Sequence, residues 1–444
     1  MCGRCLSGSG TPPCSSPDSR NRSHWVRTAD SVSWSSSNST DCTITRSRRL
    51  PPPRPVSERT ALPHSPVLPG LARDIGPAAG LVRDDDPVTT LQLGLLEGDG
   101  IGREVVPAAA RVVESALAAA GAAPVEWVRL PLGADAIAEF GAAVPEPTLA
   151  ALERLPGWIL GPHDNASYPE AHRAALPPGG LIRHRFDLFA NIRPATVLPG
   201  VRATVPDMDL VIVRENTEGF YADRNMYTGS GEFMPTPDVA MAVAVVTRRA
   251  CERIVRVAFD LARRRRRRVT VVHKANVLSL TTGMYLDVAR EIGRDHPDVT
   301  LDDQHVDAMA AHLVRRGGDF DVVVTENMFG DILSDLAGEL SGSLGTAPSL
   351  NASQTKAMAQ AAHGAAPDIA GHNRANPTAM ILSAAMLLYR LGEFRGDPTL
   401  ADAARRITRA VRTTTESGVA TADLGGLAST SQFTEMVTAR VARR

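Results

Sequence analysis

Two aspartates in the second half of the chain have a spacing that fits a divalent cation. Asp331 and Asp335 lie four residues apart in Asn327-Met-Phe-Gly-Asp-Ile-Leu-Ser-Asp335, directly after a predicted strand. On a helix they share one face, where like charges repel unless a cation neutralises them. Carboxylate oxygens favour Mg²⁺ or Mn²⁺ over zinc. A solvated helix face is the alternative interpretation.

Three arginines lie beside apolar, strand-like segments rather than on an open charged surface. Arg183 and Arg193 belong to Leu181-Ile-Arg-His-Arg-Phe-Asp-Leu-Phe-Ala-Asn-Ile-Arg-Pro194, and Arg214 belongs to Val213-Arg-Glu-Asn-Thr-Glu-Gly219. A guanidinium binds a carboxylate through paired charge-assisted hydrogen bonds, each contributing about 1.5–3 kcal/mol. An internal ion pair is the alternative for any one of them, but the three together indicate an anionic ligand.

Lys274 ends the apolar run Val271-Val-His-Lys274. A lysine at the mouth of a buried strand becomes a usable base when desolvation or a neighbouring cation lowers its pKa. Taken alone, Lys274 is better interpreted as an ordinary surface lysine.

The elements that must position these residues follow an alternating pattern. Short apolar runs at 91–96, 157–160, 210–213, 269–272 and 322–324 predict buried strands, and amphipathic stretches separate them. The clearest predicted helix spans residues 238–263, where apolar residues recur every three or four positions. Such alternation predicts an α/β fold with a largely parallel sheet.

The first strand runs into Gly98-Asp-Gly-Ile-Gly102 and then a helix. A Rossmann dinucleotide site needs G-x-G-x-x-G, whereas this segment reads G-x-G-x-G. By itself the segment is weak evidence for a nucleotide site, and a tight strand-to-helix turn that needs glycines with positive φ explains it equally well. The resemblance described below implies a fold that is not a Rossmann fold.

Composition excludes several classes of partner. The 48 basic and 49 acidic residues of the 444 give a net charge of −1 and no bulk attraction to nucleic acid or membranes. The run of arginines at 263–268 is interpreted as a solvated helix end without function. No apolar run reaches the length of a membrane span, so a cytoplasmic protein is expected. With only Cys251 in the body of the chain, a disulfide framework is excluded.

Residues 1–88 are rich in Ser, Pro and Arg and lack hydrophobic periodicity, so they are predicted not to fold. They contain no apolar core of a secretory signal. The next methionine after Met1 is Met208, and a misassigned start, with Val88 as the true first residue, is the preferred explanation of this extension.

Several motifs taken together identify a resemblance. They are Gly98-Asp-Gly-Ile-Gly102, Phe189-Ala-Asn-Ile-Arg-Pro194, Arg214-Glu-Asn-Thr-Glu-Gly219, His273-Lys-Ala-Asn276, the Asn327–Asp335 segment, Gly345-Thr-Ala-Pro-Ser349 and His363-Gly-Ala-Ala-Pro-Asp-Ile-Ala-Gly371. In this order, over residues 91–435, they resemble the β-decarboxylating dehydrogenases, which include isocitrate, 3-isopropylmalate, homoisocitrate and tartrate dehydrogenases.

The resemblance implies the fold of that family, two domains around one large, mostly parallel sheet. Residues 89–188 and 342–444 would form the NAD-binding domain, and residues 189–341 a small domain with the dimer interface. It also implies a homodimer with shared sites, in which Lys274 and Asp307 come from the partner chain.

The resemblance assigns a role to each residue of the site. Arg183, Arg193 and Arg214 would hold substrate carboxylates, and Asp307, Asp331 and Asp335 would bind Mg²⁺ or Mn²⁺. Lys274 would be the base and Tyr221 the proton donor. His363, Gly364, Asp368 and Asn376 match the adenosine-binding loop. An acid at 368 favours NAD over NADP because it repels a 2′-phosphate.

Two departures concern ligand binding. The family's Glu-Pro-x-His-Gly is here Gln360-Ala-Ala-His-Gly364, which predicts weaker NAD binding. The stretch that contacts the substrate's substituent reads Leu176-Pro-Pro-Gly-Gly180, neither the aliphatic nor the polar set of the family. An alkylmalate of the isopropylmalate type is favoured, with isocitrate, homoisocitrate or tartrate as alternatives. A catalytically silent regulatory subunit is a remote alternative, because such subunits typically lose the lysine, tyrosine or aspartates.

Overall fold

A computed structural model describes residues 90–443, apart from 174, 222 and 224. The prediction for residues 1–88 lies outside this range. The strands are β1 Leu91–Leu96, β2 Val125–Arg129, β3 Gly157–Leu160, β4 Ala190–Thr196, β5 Asp209–Glu215, β6 Glu232–Thr236, β7 Val239–Ala242, β8 Arg268–His273, β9 Thr300–His305, β10 Val322–Thr325, β11 Leu350–Ala352 and β12 Ala357–Ala359. The helices are α1 Gly102–Ala120, α2 Ala134–Phe140, α3 Glu146–Arg154, α4 Glu170–Arg173, α5 Pro178–Arg185, α6 Arg248–Arg263, α7 Thr281–Arg294, α8 Val306–Arg316, α9 Asn327–Ser341, α10 Thr378–Arg395, α11 Pro398–Glu416 and α12 Thr430–Val441.

Ten strands form one sheet in the order β2-β1-β3-β12-β11-β4-β5-β10-β8-β9, and β6 and β7 form a separate hairpin. Strands β2, β1, β3 and β12 are mutually parallel, and so are β5, β10, β8 and β9. The antiparallel pairs are confined to the centre, around β11 and β4. The expected α/β fold with a mostly parallel sheet is confirmed.

Alternation along the strands divides the core into layers. In β5, Val211 and Val213 belong to one apolar cluster with α1, α6, α7, α10, α11 and α12, whereas Leu210 and Ile212 face a second cluster with α8 and α9. A third cluster packs α3 and α5 against β1 and β3. Because strands with helices on both faces are buried on both sides, they are continuously apolar, which explains why five of them were predictable.

The predicted helix at 238–263 is partly wrong. Its first residues form β7, paired with β6, and the helix α6 begins only at Arg248. Thr247 is the N-cap, since its side chain accepts a hydrogen bond from the backbone of Ala250 at 3.2 Å. Glu218 binds both the backbone and the hydroxyl of Thr247 at 2.7 Å. A helical spacing of valines could not reveal this long-range contact.

The arginine run also differs from the expectation of a solvated helix end. Arg265 is 7% exposed and pairs with Asp321 at 2.7 Å and Asp209 at 3.0 Å, and Arg266 donates its backbone N–H to Asp321 at 2.8 Å. Asp321 is fully buried, so these contacts compensate its desolvation. This part of the run stabilises the junction of β5, β8 and β10.

A half-buried lysine closes α3. The Nζ of Lys356 donates to the carbonyl oxygens of Leu152, Glu153 and Leu155 at 3.1, 2.8 and 2.8 Å. These carbonyls lie at the carboxyl end of the helix, where intrahelical donors run out, although that of Leu152 also accepts the N–H of the C-cap residue Leu155 at 3.3 Å. Lys356 therefore connects α3 to the start of β12.

None of the helices in the described part of the chain is long and apolar enough to cross a membrane.

Candidate active site

Four of the charged residues predicted from sequence, two arginines and two aspartates, meet where β4 and β5 pair beneath α9. Arg193 lies in β4 and Arg214 in β5, two strands joined in antiparallel register with Asn191 opposite Arg214. Asp331 and Asp335 occupy successive turns of α9, which follows β10 directly. The predicted placement of both carboxylates on one helix face is what the structure has, since both contact Arg193.

The arginines and aspartates form a continuous network. Arg193 lies 3.3 Å from Asp331 and donates to Asp335 at 3.0 Å and to Ser334 at 2.8 Å. Arg214 donates to Asp331 and, at 2.8 Å, to Asn327. Both guanidinium groups are almost fully buried. The sequence analysis left an internal ion pair as the alternative for each arginine, and Arg193 and Arg214 both form one. Their partners are Asp331 and Asp335, the aspartates that were expected to hold a cation.

The pKa values of the two carboxyl groups are shifted in opposite directions. Burial favours the neutral form of Asp331, yet Arg214 and Arg193 outweigh it and hold its pKa below the usual range. For Asp335 burial dominates over Arg193, and Asp331 adds like-charge repulsion, so its pKa is raised. Burial and the proximity of Arg214 lower the pKa of Arg193 to about 10. Two cations and two carboxylates thus balance one another.

Tyr221 completes this cluster. Its hydroxyl donates to Asp331, and the guanidinium of Arg214 lies 5.3 Å from the centre of its ring. Burial raises the pKa of the phenol, although Arg214 acts in the opposite direction. The phenol therefore retains its proton at neutral pH, as a proton donor must.

The donor set suits a hard cation. Asp331 and Asp335 supply carboxylate oxygens four residues apart, and the side chain of Asp335 is 46% exposed. Within residues 90–443, three potential ligands of the His, Cys, Asp or Glu type do not come together. One chain therefore provides two carboxylates, and a complete site needs further oxygen ligands.

Lys274 and Asp307 lie together but away from this cluster. Lys274 follows β8, Asp307 opens α8 after β9, and the lysine Nζ donates to Asp307 at 2.6 Å. That hydrogen bond lowers the pKa of Asp307. Because β8 and β9 stand two and three strands from β5, about 10–15 Å separates the pair from the strand of Arg214.

The glycine turn and the predicted adenosine loop are neighbours. Gly98 and Gly100 have positive φ angles between β1 and α1, as the turn interpretation required. A side chain at Gly100 would collide with the carbonyl oxygen of Ala365, which also accepts the N–H of Ile101 at 2.9 Å. Glu104 of α1 accepts the N–H of Gly371 at 2.7 Å. The glycine turn and the start of α1 thus contact the predicted adenosine loop, residues 363–371, near both of its ends.

Within this loop, the side chains differ in how they are engaged. The buried Nε2 of His363 has no hydrogen-bond partner among the described residues, and Nδ1 lies 3.0 Å from the carbonyl oxygen of Gly364. Asp368 is exposed. Asn376 donates to Asp423 at 2.9 Å. An unpartnered imidazole nitrogen and an exposed carboxylate in the same loop suit a ligand rich in hydroxyl and amino groups, such as an adenosine.

Arg183 lies close enough to this cluster for its charge to lower the pKa of Asp331, and it contacts a residue that the sequence marked only as a departure. It lies on α5, and its guanidinium donates to the amide oxygen of Gln360 at 2.7 Å. His163 accepts the backbone N–H of Gly179, on the same helix, at 3.2 Å. His163 was missed because it lies outside every recognised motif, in the loop after β3.

Asp99 was also missed as a site-building residue. Its buried carboxylate accepts from the hydroxyl of Tyr168 at 2.6 Å and from the backbone of Ala134 and Asp164 at 2.8 and 2.9 Å. It thereby connects the glycine turn to the loop that carries His163. Its position within Gly98-Asp-Gly was the available signal.

Comparison with known proteins gives one consistent family. A family model described as isocitrate/isopropylmalate dehydrogenase matches residues 92–437. The chain is 45% identical over 349 residues to the isocitrate/homoisocitrate dehydrogenase of Thermus thermophilus, covering 77% of this chain and 96% of that protein. It is 40% identical over 344 residues to the 3-isopropylmalate dehydrogenase of Archaeoglobus fulgidus, covering 77% and 97%. The crystal structure of isocitrate dehydrogenase from Methylococcus capsulatus superposes with a TM-score of 0.71 at 41% identity, covering 79% of this chain and 99% of that one.

Proposed function

This chain belongs to the isocitrate/isopropylmalate dehydrogenase family, and from that basis we propose that it catalyses the NAD- and Mg²⁺- or Mn²⁺-dependent oxidative decarboxylation of a 2-hydroxy polycarboxylic acid. The observation that carries the proposal is the convergence of Arg193, Arg214, Asp331 and Tyr221 in one network. The substrate is a malate with a substituent at C3.

The network is proposed to open when ligands bind. Asp331 and Asp335 would turn from the arginines to a divalent cation, and the two guanidinium groups would then bind substrate carboxylates instead. Buried arginines need a compensating anion at every stage, so substrate carboxylates replace the aspartates without leaving a charge unpaired. Arg183, which donates to the amide oxygen of Gln360 at 2.7 Å, would bind a further carboxylate.

The chain's own residues would move the protons. Lys274 of the partner subunit, as a neutral amine, would take the proton of the 2-hydroxyl, and Tyr221 would give its proton to C3 after CO₂ has left. NAD, held by the loop of His363 and Asp368, would supply the hydride acceptor for C2, and a divalent cation held by Asp331 and Asp335 would supply positive charge at the C2 oxygen.

NAD is proposed over NADP. The unpartnered His363 Nε2 and exposed Asp368 support adenosine binding by the loop beside the glycine turn. A carboxylate accepts hydrogen bonds from ribose hydroxyls and repels a 2′-phosphate. Gly364 and Asn376 would contribute to the same pocket.

The relatives differ in substrate, since their names include isocitrate, homoisocitrate and 3-isopropylmalate. The alkylmalate favoured by residues 176–180 stays a prediction, alongside the isocitrate, homoisocitrate and tartrate alternatives. A silent regulatory subunit is disfavoured because the lysine, tyrosine and aspartates of the family are all present.

The direct test is NADH formation with isopropylmalate, isocitrate, homoisocitrate, tartrate and malate. Activity with at least one of them should disappear in EDTA and return with Mg²⁺ or Mn²⁺. Full activity in metal-free buffer would contradict the proposed role of Asp331 and Asp335.

A mixed-dimer experiment tests the shared site. Lys274→Ala and Asp331→Asn should each inactivate a homodimer. In a mixed dimer, two-fold symmetry puts both substitutions into one site and leaves the other site unaltered. Random reassortment makes about half the dimers mixed, so co-refolding should restore roughly a quarter of the original activity. Inactive mixed dimers would refute the assignment of these residues to opposite chains.

A further inference from the structure

The two buried arginines of the site share one feature that the proposed function does not use. The Nε of Arg193 donates to the side-chain oxygen of Asn191 at 2.7 Å, and the Nε of Arg214 donates to that of Asn327 at 2.8 Å. Both asparagines are fully buried. Each guanidinium therefore has its inner N–H bound by a neutral amide, while its terminal nitrogens contact Asp331.

The nitrogen of each amide is fixed as well. The Nδ2 of Asn191 donates to the hydroxyl of Ser349 at 2.7 Å and to the side-chain oxygen of Asn351 in β11 at 3.0 Å. The Nδ2 of Asn327 donates to the backbone oxygen of Glu218 at 2.9 Å. An amide rotated by half a turn would present N–H groups to a guanidinium, which has no acceptor. These contacts therefore keep each amide oxygen directed at its arginine.

This arrangement limits how the two arginines can bind a carboxylate. A guanidinium offers a pair of N–H groups either from Nε and one terminal nitrogen or from the two terminal nitrogens. Because amides occupy Nε in both arginines, the terminal pair is the one left for a ligand. The stem of Arg214 is confined too, since a Cβ added at Gly330 would lie 2.7 Å from its Cβ and Cγ atoms. An amide oxygen directs the guanidinium without cancelling its charge, whereas a carboxylate there would form a permanent ion pair.

We infer that Asn191 and Asn327 are positioning residues. They direct the terminal nitrogens of the two arginines at substrate carboxylates and leave both positive charges available to them. This inference rests on the proposed function, in which Asp331 and Asp335 turn from the arginines to a cation. At that stage the asparagines still fix the orientation of each guanidinium, and they carry no charge that competes with the substrate.

Three matched substitutions separate positioning from packing. Asn191→Ala and Asn327→Ala remove the acceptor of an arginine Nε, and each should raise the KM of the oxidised acid about tenfold without changing that of NAD, because a hydrogen bond to a charged group is lost. Asn216→Ala is the control. Asn216 is equally buried and donates to Leu188 at 2.9 Å and to Asn351 at 3.0 Å, but among the described residues its side-chain oxygen accepts from neither arginine. This variant should lower the melting temperature and leave both KM values unchanged.

Asn327→Asp tests the requirement for a neutral acceptor. It keeps an oxygen for the Nε of Arg214 but adds a negative charge, so affinity for the acid should fall at least as far as in Asn327→Ala. Its melting temperature should stay close to that of the unaltered protein. The lost hydrogen bond to Glu218 is offset by the ion pair with Arg214 and by a favourable charge in the first turn of α9. A purely structural role would not lower affinity in a variant of unchanged stability.

Isothermal titration calorimetry in Mg²⁺ without NAD measures affinity independently of turnover. The ligand is the acid that is oxidised fastest, or malate when none is oxidised. In the second case the proposed function fails, and the ranking of the variants towards malate alone decides the inference; no binding of malate by the unaltered protein would then overturn it. Unchanged affinity in both Asn327 variants, or an equal loss in Asn216→Ala, would also overturn it. If Asn191→Ala does not fold, the Asn327 variants decide, and failure of those to fold as well would show a structural role instead.

Discussion

Replacing Asp331 with asparagine should destabilise the fold far more than the same change at Asp335. Asp331 accepts hydrogen bonds from Arg214 and Tyr221 and lies 3.3 Å from Arg193. The asparagine keeps one acceptor oxygen but removes the charge that compensates Arg214, whose side chain is 2% exposed. Breaking a buried ion pair costs about 3–5 kcal/mol. Since Asp335 still pairs with Arg193 and the amide oxygen still accepts, about 2 kcal/mol is expected here.

Asp335 provides the matched comparison. Its side chain is nearly half exposed, and within the described part of the chain it pairs with Arg193 at 3.0 Å. Solvent screens such a pair, so Asp335→Asn should cost less than about 1 kcal/mol. Both variants should nevertheless lose activity, because both remove a proposed metal ligand.

Urea denaturation in EDTA measures the difference without any contribution from bound metal. The transition of Asp331→Asn should move to clearly lower urea, that of Asp335→Asn should stay close to the unaltered protein, and the slopes should agree. Equal destabilisation of the two variants, or a larger loss for Asp335→Asn, would refute the charge balance derived from the arginine network.

Three further predictions concern other parts of the molecule. Asp368→Lys should lower the ratio of kcat/KM for NAD to that for NADP, because attraction of the 2′-phosphate replaces repulsion; an unchanged ratio would contradict the loop assignment. Lys356→Met should lower the free energy of unfolding by about 1–3 kcal/mol, because the carbonyl oxygens of Glu153 and Leu155 lose the ammonium as their donor, whereas that of Leu152 keeps the N–H of Leu155. A loss below about 0.5 kcal/mol, roughly that of a surface substitution, would show that water replaces the ammonium. His163 has a folded-state pKa below its usual value, so the unfolded chain binds its proton more readily and stability falls as pH drops from about 6.5 towards 4. His163→Asn should lack this component, up to about 3 kcal/mol, and parallel pH profiles of the two proteins would disprove it.

Local sequence pattern was enough for most of the framework. Strands buried on both faces are continuously apolar, so the runs of apolar residues along the sequence were enough to locate β1, β3, β5, β8 and β10. The spacing of Asp331 and Asp335 set their common helix face, since helical periodicity is a local property. The motif series identified the family because its members share residues in a common order.

Tertiary structure decided the features that depend on distant partners. Residues 238–247 have the apolar spacing of a helix, but pairing with β6 and the contact of Glu218 with Thr247 delay the start of α6. The buried pairing of Arg193 and Arg214 with the aspartates arises only where β4, β5 and α9 meet. His163 reaches Gly179 across sixteen residues of chain. The sequence determines the chemical type of each residue. Tertiary packing determines which neighbours it has, and these neighbours set its charge, its burial and its hydrogen-bond partners.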